Sequence, residues 1–242
     1  MRLTNKQRLA IKKIIESIQD SENFQRALTH VSYCNENSLA TSYENLEFLG
    51  DSILNFHTSL FIYNSYPKYS EGQMSKLKQL MVQESTLNTL SREIGLNEVD
   101  ESGKLKYLKL GGGEIKNQGA DKTSILADIF ESFVAALYLE KGNQSVSRFL
   151  RLTLFSWVKG KEDLIWDHKS LLQEYCQAQK NRTIYQLKRI VRTGRQQLFI
   201  MEVRDRMGTF QEVGKGYSKK EAEQEAAAKV IKKLGLGKKS EE

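Results

Sequence analysis

The stretch ENLEFLGDSIL, residues 44–54, decides how the chain is read. It has the composition of an amphipathic helix, yet it carries Glu44, Glu47 and Asp51 with no Lys or Arg among them. At helical spacing the three acids fall within about 60° of one another. Leu46, Leu49, Ile53, Phe56 and Leu60 fall on the other side. The expectation is a helix that buries this apolar stripe and gathers its acids on a separate face. Like charges one turn apart repel by only about a few tenths of a kcal/mol. A solvated acidic face and a cation site are therefore both open from this stretch alone.

A second stretch shifts the balance. ILADIFESFVAALYL, residues 125–139, breaks its apolar run at Asp128, Glu131 and Ser132. A helix so apolar is buried on most of its surface. Two neighbouring carboxylates there are costly unless something positive answers them. The helix offers no Lys or Arg before Lys141. A salt bridge from elsewhere would answer the charge, but a divalent cation does so with fewer parts. Carboxylate oxygens suit Mg²⁺, which keeps several of its waters. No Glu is followed by His three residues later and no cysteines cluster, which argues against a di-iron or a zinc site.

Charge divides the chain. Its 242 residues carry 37 Lys+Arg and 30 Asp+Glu, a formal net charge of +7. Residues 1–164 are neutral, with 20 of each sign, while residues 165–242 hold 17 basic and 10 acidic residues. The whole excess sits in the last third, the footprint of a module that meets a polyanion or of a merely basic tail. Two cysteines, Cys34 and Cys176, make no disulfide framework and fit a reducing compartment. The N-terminal stretch lacks the apolar block of a signal peptide, and no run approaches the roughly 20 apolar residues of a membrane span. The expectation is a soluble, cytoplasmic protein without a membrane partner.

Periodicity predicts helices over 5–18, 23–33, 44–64, 71–94, 122–141 and 144–157, joined by polar connectors. One connector, LGGGEIKNQGADK, lacks the Gly-Lys-Ser/Thr and preceding strand of a phosphate loop and reads as a turn. The pattern changes near VKGKEDLIWDHKS. A helix over 168–179 follows, then three strand-like segments and a closing helix with Ser218 to cap it and Gly235 to end it. Ala222, Ala226 and Ala227 allow that helix to lie close on the sheet. The domains expected are 1–158, a linker over 159–166, a second domain over 167–236 and a tail over 237–242.

ENLEFLGDSIL closely resembles the signature of the ribonuclease III family, endonucleases of double-stranded RNA. KTSILADIFES resembles that family's second catalytic segment, and ALTHVSY (27–33) and LGGGE (110–114) resemble further landmarks in the same order. The resemblance extends over the whole chain. It implies an all-α endonuclease domain followed by a small α+β (αβββα) double-stranded RNA-binding domain. It implies that Glu47, Asp51, Asp128 and Glu131 ligate Mg²⁺, with Mn²⁺ able to replace it, and that Asp51 and Glu131 are the catalytic core. Glu44 and Glu71 would be accessory acids; for Glu71 an ordinary acid in a helix's first turn is the alternative. Phe48 lies about 40° from the acidic face, and the matching aromatic of the family enters the partner subunit of a homodimer. No small-molecule cofactor is implied. The family's products carry a 5′-phosphate, a 3′-hydroxyl and a short 3′ overhang, and its substrates include ribosomal and messenger RNA precursors. His30 is expected to be a packed, hydrogen-bonded residue.

The second module resembles a double-stranded RNA-binding domain. Such domains touch 2′-hydroxyls across minor grooves and the phosphates between them. Gln173, Glu174 and Gln177 would meet hydroxyls, and Lys219 and Lys220 at a helix start would meet phosphate. The loop RTGRQQLF lacks the Gly-Pro-x-His of many relatives, leaving Arg195 and Gln196 to substitute. The last basic position of the helix motif holds Glu223. Both departures predict modest affinity from this module. A catalytically silent RNA-binding scaffold is the main rival reading, and the complete set of four acids speaks against it.

Overall fold

A computed structural model describes residues 3–160, 168–193 and 196–236, without the side chains of Thr193 and Gln196. The chain forms two units, Met1–Ile165 and Trp166–Glu242. In the first, helix α1 (Asn5–Glu16) starts where Thr4 and Gln7 close a reciprocal capping box. It is followed by α2 (Glu22–Ala27) and α3 (Val31–Glu36), by the long α4 (Glu44–Ser65), and by α5 (Glu71–Val82) and α6 (Glu84–Glu93). Then come α7 (Gly112–Lys116), a short 3₁₀ turn, α8 (Thr123–Leu152) and α9 (Leu154–Val158).

Three predicted helices are broken, each by a local competitor for the backbone. Over 23–33 the chain leaves the helix at Leu28. There the Thr29 hydroxyl donates to the Gln25 carbonyl, and residues 28–30 exchange backbone hydrogen bonds with Lys109. Over 71–94 the break is Gln83, which is extended (φ −68°, ψ 149°), while the Thr86 hydroxyl takes the Leu80 carbonyl. Over 144–157 it is Thr153, whose hydroxyl bonds back to Phe149. The connector after Leu110, expected as a turn, contains the five-residue α7. Gly142, at φ +72°, breaks α8 where the two predicted helices meet.

The core is organised around α8, which packs on α4, α6 and α2. Phe130, Phe133 and Phe149 are fully buried. Buried hydroxyls tie the neighbours to it: Ser132 donates to Ala27 O at 2.7 Å and Ser91 donates to Leu126 O at 2.6 Å. The partner face of α4 corrects the expected stripe. Leu46, Gly50, Leu54, His57, Thr58 and Ile62 are buried, whereas Phe56 and Leu60 are 58% and 47% exposed. Gly50 explains the rotation: a Cβ there would overlap the main-chain carbonyl of Glu131. The side of α4 that approaches a neighbour most closely is the one without a side chain. It brings the flanking acids to α8 and turns the bulkier apolar residues outward.

The second unit is α10 (His168–Ala178), strands β1 (Thr183–Thr193), β2 (Gln196–Asp205) and β3 (Gln211–Gly216), and α11 (Lys219–Lys233). The strands form an antiparallel meander in the order β1-β2-β3. Met201 and Val203 face the helices, with Leu172, Cys176, Ala226, Ala227 and Val230. α11 lies directly on β3, where a Cβ on Gly214 would overlap the backbone of Ala222 and Ala226. The buried Asp205 carboxylate clamps the β2–β3 turn, accepting from Asn181 Nδ2, Thr209 Oγ1 and Phe210 N. Burial opposes its ionisation, but these donors win and hold its pKa at about 2.

Adding one methyl at Gly50 forces α4 and α8 apart. Overpacking of this kind costs about 1–3 kcal/mol. Gly50→Ala is expected to lower the urea midpoint without changing the slope of the transition; an unchanged midpoint would contradict the close approach.

Candidate active site

Glu44, Glu47 and Asp51 reach the site from the first two turns of α4, and Asp128 and Glu131 from the middle of α8. Helical spacing aligns the acids within each pair, and the Gly50 approach brings the pairs together. Glu47, Asp128 and Glu131 are half-buried, while Glu44 and Asp51 are exposed. Burial pushes the Glu131 carboxyl up to a pKa of about 8, reinforced by the charges of Asp51, Glu47, Asp128 and Glu84. Burial also raises Glu47, with Asp128, Glu44 and Asp51 adding to it. Asp128 is raised by burial, less a contribution from its hydrogen bond with Tyr43. The four acids read from the sequence are thus one electrostatic group.

Their oxygens are held by neutral donors. The buried Tyr43 hydroxyl donates to Asp128 Oδ2 at 3.0 Å. Burial, and then Asp128 itself, push the Tyr43 phenol far above its ordinary pKa, so it stays a donor. Asn55 Nδ2 donates to Asp51 Oδ1 at 2.6 Å, and the Ser42 hydroxyl donates to Glu44 Oε2 at 2.7 Å. His30 packs its ring 5.7 Å from that of Tyr43, and its Nδ1 is hydrogen-bonded to Ser32 Oγ at 2.7 Å, the packed role expected of it. No ion pair joins Lys or Arg to these acids among the described residues. Nor do any three acidic, His or Cys side chains there converge as a ready-made metal cage. The donor set still fits a hard divalent cation: it is all oxygen, burial and then neighbouring charge raise Glu131 to a pKa of about 8, and no Lys or Arg forms an ion pair with it among the described residues.

Two features escaped the sequence reading. Glu84, the first residue of α6, raises the pKa of both Asp128 and Glu131. Nothing in the sequence links it to residues some 40 positions away. Tyr43 stands just before the acidic helix, and only its adjacency hinted at a role. Conversely, Glu71 is not among the charges that raise Glu47, Asp128 or Glu131. It accepts from Ser75 Oγ at 2.7 Å and lines a shallow concavity with Tyr63 and Lys78. Phe48 is 79% exposed.

In the second unit Gln173, Glu174 and Gln177 are exposed on α10, opposite the buried Leu172 and Cys176. Lys219 and Lys220 are exposed in the first turn of α11, which Ser218 caps by accepting from Glu221 N. Glu223, which replaces a basic residue, pairs with Lys169 at 2.7 Å and links α11 to α10. Arg195 lies outside the described residues, and Gln196 begins β2.

Comparison with known proteins matches residues 20–157 to the family described as ribonuclease-III-like, and residues 168–234 to the double-stranded RNA binding motif. Ribonuclease 3 of Spiroplasma citri is 40% identical over 222 residues, covering 90% of this chain and 86% of that protein. Ribonuclease 3 of Borreliella burgdorferi is 36% identical over 241 residues, covering 96% and 94%. Among solved structures, the nuclease domain of ribonuclease III from Campylobacter jejuni superimposes with a TM-score of 0.50 at 28% identity. It covers 59% of this chain and 94% of that one, and its description concerns flexibility in a region involved in dimer formation.

The raised pKa of Glu131 has a consequence for stability. Its carboxyl keeps its proton to about pH 8 when folded, but only through the ordinary carboxylate range when unfolded. Between those limits the folded state binds more protons, so unfolding free energy falls as pH rises. Glu47 and Asp128 act with the same sign. In EDTA, the melting temperature is expected to fall between about pH 5 and pH 8, and Glu131→Gln to flatten that fall. A parent profile already flat in EDTA would contradict the burial of this carboxyl.

Proposed function

The chain belongs to the ribonuclease III family and is an endonuclease of double-stranded RNA, and on that premise we propose that Glu47, Asp51, Asp128 and Glu131 hold Mg²⁺, with Mn²⁺ able to replace it. The observation that carries this reading is the electrostatic grouping of two carboxylate pairs across the α4–α8 approach, with no Lys or Arg ion-paired to them among the described residues. Bound there, the cation would supply an activated water and neutralise charge on the phosphate. The protein's part is positioning. α4 and α8 present oxygens from two helices, and the Tyr43 hydroxyl anchors the Asp128 carboxylate through Oδ2. Asp51 and Glu131 form the catalytic core, and a cation held there would displace the proton of the buried Glu131 carboxyl. Glu44 borders the group as an accessory acid, and Glu71 is an accessory acid that meets RNA from its own concavity.

The active form is a homodimer. Phe48, Phe56, Leu60 and Tyr63 project from the outward side of α4, between 47% and 79% exposed. An apolar stripe of this size on one helix marks an interface, and Phe48 is its anchor. Each subunit cuts one strand, leaving 5′-phosphate and 3′-hydroxyl ends with a short 3′ overhang. Residues 1–158 are the catalytic domain and 167–236 the RNA-binding domain; the linker over 159–166 and the tail over 237–242 fall largely outside the described residues. Gln173, Glu174, Gln177, Lys219 and Lys220 hold the duplex, with Arg195 and Gln196 in the loop region. The substrates are ribosomal and messenger RNA precursors in the cytoplasm; no described helix is long and apolar enough to cross a membrane.

The test is cleavage of a long RNA duplex by the parent, Glu131→Ala and Tyr43→Phe. The parent is expected to cut with Mg²⁺ and not with EDTA. Glu131→Ala should bind duplex without cutting. Tyr43→Phe, which removes a partner of a proposed ligand, should lose about 10–100-fold in activity and need more Mg²⁺. Cleavage by Glu131→Ala at the parent rate would overturn the assignment.

A further inference from the structure

The first unit is electrically neutral in sum, but its charge is not evenly spread. While acids gather at the α4–α8 approach, cations gather elsewhere. Lys13 of α1 and Lys141, Arg148 and Arg151 of α8 are all exposed. They line two adjoining concavities that share Ser145 and Arg148. Gln144, Arg148 and Arg151 follow helical spacing along one face after the Gly142 break, while Val146, Phe149 and Leu150 fill the opposite, buried face. None of the four cations forms an ion pair among the described residues. The acids nearest in sequence are engaged elsewhere, Glu16 with Lys12 at 3.8 Å and Glu140 with the Asn23 amide at 2.8 Å.

The lining indicates the class of partner. Around Arg148 and Arg151 it consists of Asn143, Gln144, Ser145 and Ser147, with no apolar side chain. A protein partner is expected to find apolar or aromatic area at the centre of its contact. Ala10, Ile14 and Leu137 contribute only to the neighbouring concavity. Guanidinium, ammonium, amide and hydroxyl groups without an apolar centre match a hydrated phosphodiester backbone, which is held by charge and by polar donors. None of these residues belongs to the acidic group or to the contacts expected of the second unit.

We propose that this patch is a second RNA-binding surface, taking the phosphate backbone of RNA that flanks the duplex being cut. The inference rests on the duplex-endonuclease reading and adds a contact to it. Flanking structure would then contribute to substrate choice without being cleaved.

The experiment uses the full chain carrying Glu131→Gln to prevent cutting. It measures affinity, across a salt series, for a minimal duplex and for the same duplex extended by a long arm. The comparison variant adds Lys141→Gln, Arg148→Gln and Arg151→Gln, all at exposed positions. Arg148→Gln alone is the second variant, and unchanged melting temperatures establish that both are folded. The triple variant is expected to bind the extended RNA at least about 10-fold more weakly, with the salt slope reduced by about three, and the single variant to lose about one. The minimal duplex should bind within about twofold of the parent. Equal weakening on both RNAs would assign the patch to the catalytic groove and overturn the proposal. So would unchanged binding of both, including the case in which only the parent retains a polyglutamate chain, which would mark a dock for an acidic protein. Failure of the parent to bind the minimal duplex at all would instead sink the underlying reading.

Discussion

The close approach of α4 and α8 at Gly50 is the constraint on which the rest of the first unit depends. A side chain there would collide with the main chain of Glu131. Because it is absent, acids one residue and three residues away on α4 are brought against two acids on α8. The result is a half-buried carboxylate group that raises its own pKa values, Glu131 to about 8. Such a group is unfavourable by itself, and the proposed hard cation would offset that cost. The neutral donors Tyr43 and Asn55 hold individual oxygens without supplying the missing charge.

Much of this was legible in the sequence. Asp128 and Glu131 stood out because nothing else in residues 125–139 except Ser132 interrupts an apolar run. The αβββα order of the second unit was legible from β-branched alternation and helix caps, and the alanines of α11 do lie against the sheet. The face of α4 was not. Periodicity weighs Phe56 and Leu60 by hydrophobicity, whereas packing weighs Gly50 by the distance it permits. The helix breaks at Thr29, Gln83 and Thr153 were hidden for a related reason. Each depends on a hydroxyl or a distant backbone segment competing for hydrogen bonds, and periodicity does not register such competition. Glu84 joins the acids only through the tertiary fold.

Charge is segregated at two levels. Between the units, the entire excess of basic residues lies in the last third of the chain. Within the first unit, acids concentrate at the α4–α8 approach, while Lys13, Lys141, Arg148 and Arg151, which form no ion pair among the described residues, lie on α1 and α8. A nuclease must bring a polyanion toward carboxylates that repel it. Basic residues set apart from the acids can attract such a backbone without neutralising the carboxylates. Glu223 shows the same economy on a smaller scale. It pairs with Lys169 and links α11 to α10.

The proposed binding exchanges the proton of the buried Glu131 carboxyl for a divalent cation. It is tested most directly by calorimetric titration of Mg²⁺ into the protein near pH 7, in buffers of different ionisation enthalpy. The apparent heat should vary with the buffer as about one proton is released per cation bound, and the variation should vanish in Glu131→Gln. Binding without proton release would contradict the raised pKa of Glu131. No Mg²⁺ binding at all would contradict the metal site itself.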